Sequence, residues 1–323
     1  MRRVHRSLRL ACLALAPSAH LLAAPPEYAT SVTTSNPLLW YRFDEASGNA
    51  INHGSLGATF DAAYTGTPDR SIPSQGGDTA VGLQQGDWLE SGGASSLTGN
   101  PTFSVEAVVR LSEPGSASNW GPFLHWGTGG TGKEVYFSIQ GNNNFRIYNG
   151  FYNAGITSNR TFPGNQWLHV VWTRAGGNDT EVGSTMHVNG YPISVVRDPN
   201  LIPGFLVAAS INVTSTSFRI NQARDVIGNR YFTGALDEVA LYDRILTDEE
   251  IVSRGVLFRC IADYNQDIGV DILDFLDFIE DFSTCEQSPG PCGTFGDSDF
   301  NGDTFVDILD FLDFIDAFSS ACQ

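Results

Sequence analysis

The chain has 323 residues, 41% hydrophobic and 17% charged, an ordinary composition for folded protein and enough for two domains. Its 36 acidic against 18 basic residues would be repelled by phosphate backbones and anionic lipid, which argues against nucleic acid and membrane surfaces as partners and favours cations. The excess is uneven: from Cys260 to Gln323 there are fifteen Asp and Glu and no Lys or Arg, so a domain boundary falls near residue 260.

Residues 1–24 read as a secretory signal peptide, with a basic head at Arg2, Arg3, Arg6 and Arg9, a short apolar run to Ala16, and a small-residue exit at Ala23 and Ala24. The expected product is secreted and extracellular, free or attached to a cell surface. Cys12 sits too close to the basic head for a lipidation site. No segment reaches the roughly 18 to 20 apolar residues that a spanning helix needs, so no membrane span is expected.

Residues 36–254 read as all-β. Phe103, Val105, Ala107, Val109 and Leu111 alternate with Ser104, Glu106, Val108 and Arg110, the period of a half-buried strand. Further strands are expected at Val135 to Ile139, Phe145 to Tyr148, Trp167 to Thr173 and Phe218 to Ile220. Met186 to Ile193 reads as a hairpin with an Asn189-Gly190 turn. Thr247-Asp-Glu-Glu250 is the one helix start, a capping box ahead of Ile251. Many strands with Gly-rich turns predict a sandwich or jelly roll.

The order of segments carries a resemblance. Leu39-Trp-Tyr-Arg-Phe-Asp-Glu45, Phe103-Ser-Val-Glu-Ala107, Trp167-Leu-His-Val-Val171, His187-Val-Asn-Gly190 and Phe232-Thr-Gly-Ala-Leu-Asp-Glu-Val239 together resemble a laminin-G-like, concanavalin A-like jelly roll. That resemblance implies a β-sandwich that binds glycans or proteins, with some members being glycosidases. It also implies a calcium shared between an Asp of the opening strand and one of the closing strand, here Asp44 and Asp237, with Glu238 as a further candidate. The alternative is that these are strand-edge carboxylates satisfied by backbone donors.

Catalysis is not expected. A glycosidase needs two carboxylates across the scissile bond, whereas Asp237 and Glu238 are adjacent, which in a regular strand puts them on opposite faces. His53, His125, His169 and His187 have no metal-ligand spacing, and His169 and His187 read as packed or surface imidazoles. A glycoside hydrolase or lyase on the same fold is the enzymatic alternative. For glycan binding, the rings of Phe145, Tyr148, Phe151 and Tyr152, with Trp120 and Trp126, offer stacking surfaces; the competing reading is that they fill the core. A structural or adhesive protein-binding module is the third alternative.

The tail is a tandem repeat: Val270-Asp-Ile-Leu-Asp-Phe-Leu-Asp-Phe-Ile279 recurs unchanged as Val306 to Ile315, thirty-six residues later. Asp263, Asn265, Asp267, Asp271 and Asp274, and then Asp299, Asn301, Asp303, Asp307 and Asp310, occupy positions 1, 3, 5, 9 and 12 of two calcium loops, 263–274 and 299–310. Position 7 contributes a carbonyl, from Gly269 and Phe305. Position 6 usually holds Gly for a sharp turn; here it holds Ile268 and Thr304, so the first loop is expected to be the weaker site unless Gly269 relieves the turn. After each loop, Ile272, Phe275, Leu276, Ile279 and Phe282, matched by Ile308, Phe311, Leu312, Ile315 and Phe318, fall at helical spacing. Cys260, Cys285, Cys292 and Cys322, an even count in a small exported module, suggest disulfides. Three pairings are open; Cys260 with Cys285 and Cys292 with Cys322 is favoured because each would clasp one copy.

Residues 260–323 resemble the cysteine-flanked dockerin anchors of secreted bacterial proteins. The resemblance implies Ca2+ as cofactor and a cohesin-like protein or cell-surface scaffold as partner. Loop positions 10 and 11, Ile272 and Leu273 with Ile308 and Leu309, would help face that partner. The whole sequence thus predicts a secreted, non-catalytic binding protein: a mainly β jelly roll that recognises a glycan or protein, joined to a small α-helical calcium-loop module.

Overall fold

The computed structural model describes residues 26–74, 78–112, 121–140, 146–151, 154–177, 181–197, 211–224, 231–285 and 297–320. In chain order the first strands are β1 (Leu39–Tyr41), β2 (Ala62–Thr65), β3 (Asp69–Pro73), β4 (Thr79–Leu83), β5 (Trp88–Ala94), β6 (Phe103–Leu111), β7 (Pro122–Gly127) and β8 (Glu134–Gln140). They are followed by β9 (Arg146–Phe151), β10 (Ala154–Ser158), β11 (Trp167–Arg174), β12 (Ser184–Val188), β13 (Tyr191–Ile193), β14 (Val195–Arg197), β15 (Ser217–Ile220) and β16 (Gly234–Tyr242). Helices are α1 (Pro26–Thr34), α2 (Asp248–Gly255), α3 (Ile272–Cys285) and α4 (Ile308–Ser320).

The strands form two sheets. The first runs β13-β12-β11-β6-β16-β4-β3 with β1 beside β16; the second runs β14-β10-β9-β8-β7-β15-β5-β2. Between them lies the main core, where Val105, Ala107, Val109 and Leu111 of β6 join Phe123, Trp126, Phe137 and Ile139 of the second sheet. Each Val, Leu, Ile or Phe among them contributes roughly 1.5 to 3 kcal/mol on burial. The hairpin closes through Asn189 at φ 51 and Gly190 at φ 78, the paired left-handed geometry that an Asn-Gly turn supplies. The capping box at Thr247 is complete, with the Thr247 side chain accepting from Glu250 N and Glu250 accepting from the Thr247 backbone.

The strand read as half-buried is buried on both faces. Tyr28 and Val32 of α1, one helical turn apart, and Ile251 of α2 cover the outer face of the first sheet against Val108, Val171 and Ala240. The sequence reading had no helix in α1, so the packed sandwich starts upstream of residue 36. Burying Glu106 on this covered face requires a counter-charge. Its Oε1 accepts from Arg254 Nη1 at 2.7 Å and from the Tyr242 hydroxyl, and its Oε2 lies 3.0 Å from His169 Nε2, with Glu106, His169 and Arg254 fully buried. Burial alone would push the Glu106 carboxyl up, but Arg254 and His169 hold it at about 2.

In the tail, α3 and α4 pack through Phe278 and Phe314, whose rings stack at 4.0 Å, with Tyr264 edge-on to both. The tail also touches the sandwich: Ile268 is buried in the same hydrophobic cluster as the sandwich core. Just ahead of the tail, Arg259 stacks 3.7 Å from the Tyr191 ring and donates Nε to Asn189 O at 3.0 Å. Among the described residues, no helix is long and apolar enough to cross a membrane.

Candidate functional site

The closing strand β16 contains a bulge. Its register with β6 slips between Asp237 and Ala240, and Glu238 takes a left-handed φ of 50°. Regular alternation would have parted these adjacent carboxylates, as the sequence reading assumed; the bulge brings them together. Asp78, just ahead of β4, completes the group, so that one oxygen from each of Asp78, Asp237 and Glu238 lies within 4.8 Å of the others.

Each carboxylate has ordered partners. Asp237 Oδ2 accepts the Ser74 hydroxyl at 2.5 Å and Oδ1 accepts Glu238 N at 2.8 Å. Glu238 accepts from Trp40 Nε1 and from Arg42 Nε at 3.2 Å, while Arg42 Nη2 reaches Asp78 Oδ2 at 3.1 Å. One guanidinium therefore pairs with two of the three carboxylates and none among the described residues reaches Asp237, and burial with the surplus of negative charge raises all three carboxyls. Burial, then Glu238 and Asp78, pushes Asp237 well above the usual range. Burial pushes Glu238 up to about 8 against the pull of Arg42. Burial and the nearby Asp44 raise Asp78.

Calcium fits this group on one specific observation: Asp78 Oδ1 is buried and has no hydrogen-bond partner among the described residues. An all-oxygen set with excess negative charge is the chemistry a hard dication takes. Asp78, Asp237 and Glu238 would hold the ion. Of the expected pair, Asp237 is in the group and Asp44 stands at its rim, exposed, 3.4 Å from Arg42 Nη1 and accepting Thr79 N at 3.4 Å. Asp78 went unread in the sequence because nothing local links it to β16.

The tail loops share six bonds from backbone amides to side chains and differ in one, Asp267 N to Asp263 Oδ1 at 2.8 Å, which the second loop lacks. Asn265 N donates to Asp274 Oδ1 at 3.1 Å and Asn301 N to Asp310 Oδ1 at 3.0 Å; Asp271 N donates to Asp274 Oδ2 at 2.8 Å and Asp307 N to Asp310 Oδ2 at 2.7 Å. Position 1 accepts from position 6 in both, Ile268 N to Asp263 Oδ2 at 2.9 Å and Thr304 N to Asp299 Oδ2 at 2.8 Å. Asp267 N and Asp303 N both donate to the Asn at position 3, and Gly269 N and Phe305 N both donate to the Asp at position 5. Burial pushes Asp263 up to about 6, and Asp274 is raised for the same reason. In the second loop Asp299 Oδ1 is buried with no hydrogen-bond partner among the described residues, an oxygen placed as a cation ligand would be.

Position 6 behaves differently from the expectation. Ile268 at φ 73 and Thr304 at φ 79 make the left-handed turn themselves, so Gly269 does not relieve it. Ile268 is 1% exposed and anchored in the sandwich cluster, which holds a β-branched residue in a conformation it otherwise disfavours; Thr304 is exposed.

Of the rings expected to stack on sugar, Phe145, Tyr152 and Trp120 lie outside the described residues, and of Tyr148 and Phe151 only the backbone, in β9, is described. Trp126 is a correction: it is fully buried, edge-on to Phe103 and Phe218, and donates Nε1 to Leu97 O at 2.9 Å. Its neighbour on β7, His125, points the other way and pairs with Glu134 at 2.9 Å, both fully buried. His169 and His187 are likewise packed. Cys260 and Cys285 are buried, while Cys292 and Cys322 lie outside the described residues.

Solved structures with a similar chain path include domain 4 of AbnA, an extracellular arabinanase of Geobacillus stearothermophilus, in complex with arabinotriose. It is 17% identical with a TM-score of 0.47, over 68% of this chain and 98% of that one. The binding domain of Paraclostridial Mosquitocidal Protein 1 is 12% identical with a TM-score of 0.46, over 71% and 53%. A Trypanosoma rangeli sialidase in complex with the inhibitor DANA is 15% identical with a TM-score of 0.43, over 72% and 36%. No curated protein matches the chain. The family model described as "Concanavalin A-like lectin/glucanases superfamily" matches residues 83–252, just over half of the chain. With two antiparallel sheets packed face to face and this match across β4 to α2, the chain belongs to the concanavalin A-like lectin/glucanases superfamily.

Proposed function

We propose that this is a secreted, non-catalytic binding protein whose sandwich recognises a glycan and whose tail is a dockerin-like module that anchors it through calcium. The observation that carries the tail reading is the congruence of the two loops: the same carboxylates accept the same backbone amides thirty-six residues apart. The helices that follow are equally matched. Ile272, Leu273 and Leu276 are 61%, 52% and 53% exposed, and Ile308, Leu309 and Leu312 are 61%, 50% and 54% exposed. Two equivalent apolar faces on a highly charged module suit a protein partner that can engage either copy, a cohesin-like receptor or cell-surface scaffold.

Glycan recognition rests on the superfamily, which joins lectins and glucanases, and the non-catalytic reading on the carboxylates: Asp237 and Glu238 are each 1% exposed and bound by Ser74, Trp40 and Arg42, not set on either side of a bond to be cleaved. The test is a glycan array probed with the full chain in calcium and in chelator, alongside an assay for polysaccharide cleavage. Retention without product formation supports the reading. Product formation would make the protein an enzyme, and no retention on any glycan would leave a protein-binding module.

A further inference from the structure

We propose that the outer face of the first sheet carries a trough that binds a carboxylate-bearing sugar residue, with Arg110 as the anion-recognising group. This rests on the glycan reading and assigns it a place and a charge.

Strand register builds the trough. Asp69 pairs with Gly82, Gly82 with Ala235, Ala235 with Arg110, and Arg110 with Trp167, so the five residues form one transverse row across β3, β4, β16, β6 and β11. Directly paired residues project to the same face, and Ala235 and Trp167 belong to the outer cluster, which fixes that face as the one away from the main core. Asp69 and Arg110 are three strand spacings apart, about 14 Å between backbones. Between them the floor holds one methyl group and one glycine, with the Ile72 side chain packed beside the glycine. The result is a cavity of about 330 Å3, within the size range of small-molecule sites.

The walls have unequal chemistry. At one end the Arg110 guanidinium stacks 5.1 Å from the Trp167 ring centroid, and it forms no ion pair among the described residues. A stacked guanidinium is held in place while its N–H fork stays open, the arrangement that takes a carboxylate bidentately. Asn165, Gln84 and Ser112 line the same cavity, and the Ser112 Oγ is buried with no hydrogen-bond partner among the described residues. At the other end Asp69 is exposed; its Oδ1 takes the Ser71 amide at 3.0 Å and the Ser71 hydroxyl at 2.6 Å, leaving Oδ2 to accept sugar hydroxyls. Those bonds from Ser71 also hold the Asp69 carboxyl below its usual value, so it stays ionised. In a chain of net charge −18, a pre-oriented arginine without a counter-ion selects an anion. The acidic far wall rejects a second negative charge and receives the hydroxyl-bearing part of the ring.

A uronate within a polysaccharide and a terminal nonulosonate share this chemistry, so the experiment uses both. The full chain is titrated with oligouronates, a sialylated trisaccharide and neutral gluco-oligosaccharides, as wild type and as Arg110→Ala, Arg110→Lys, Ser112→Ala and Arg160→Ala; Arg160 does not line the trough. The expected result is a preference for one acidic ligand. Arg110→Ala should weaken it by about ten-fold or more, Arg110→Lys and Ser112→Ala by less, and Arg160→Ala not at all. Equal binding of acidic and neutral sugars, or acidic binding that survives Arg110→Ala and Ser112→Ala, would overturn the trough while leaving glycan recognition standing. Failure to bind any of the sugars would remove both. Should Arg110→Ala not fold, Arg110→Lys and Ser112→Ala still decide the matter.

Discussion

Replacing Glu238 with Gln should change how stability depends on pH rather than stability at one pH. Burial pushes the Glu238 carboxyl from 4.5 to about 8, so between those values the folded chain holds a proton that the unfolded chain has released. Stability from this group is therefore complete below about pH 4.5 and is lost as pH rises to about 8. The gap, at about 1.4 kcal/mol per pH unit, sets an upper limit of roughly 5 kcal/mol. Calcium held there would act in the opposite direction, because it would bind the ionised carboxylates, so its stabilisation should grow across the same window. Urea unfolding of wild type and Glu238→Gln between about pH 5 and pH 8, in chelator and in calcium, measures this. Comparing the two proteins cancels His187, whose burial lowers its pKa and tilts stability the other way. In chelator the wild type should lose several kcal/mol more than the variant, and calcium should remove most of that loss. Parallel pH profiles for the two proteins in chelator would refute the reasoning.

Glycine at position 6 should act with opposite sign in the two loops. Thr304→Gly, at an exposed φ of 79°, should stabilise the chain by up to about 1 kcal/mol; Ile268→Gly, at a residue 1% exposed, should cost about 2 kcal/mol or more because it empties a place in the sandwich cluster. Calorimetric melting in calcium reads both. Glu106→Gln should destabilise by roughly 3 to 5 kcal/mol, since Arg254 is left fully buried without its counter-charge; a loss below about 1 kcal/mol in urea unfolding would mean the buried pair is not what holds α2 to the sheet.

What the sequence made legible was local. The Asn189-Gly190 turn, the Thr247 capping box and the strand at β6 are each set by neighbours within a few residues, and each reappears in the structure, though the alternation of β6 did not foretell that both its faces are buried. What it hid depends on pairing across the fold. The Asp237 and Glu238 carboxylates converge only because β16 bulges against β6, and Asp78 reaches them only through the first sheet. The row from Asp69 to Trp167 exists only once five strands are in register. Trp126 looked like a binding ring because an aromatic residue beside Gly-rich turns suits surface and core alike, and only the register of β7 assigns it to the interior. Helix α1 was missed because its apolar residues, Tyr28 and Val32, make too short a pattern to stand out without the sheet they cover.

If calcium organises both ends of this protein, calorimetric titration of calcium into the oxidised, metal-free full chain, with circular dichroism alongside, should show it. About three ions are expected, one for each tail loop and one at the β16 bulge, with a gain of helix. Two of these should disappear in the Asp274→Asn, Asp310→Asn double variant. No binding at about millimolar calcium, with an unchanged helix signal, would contradict it.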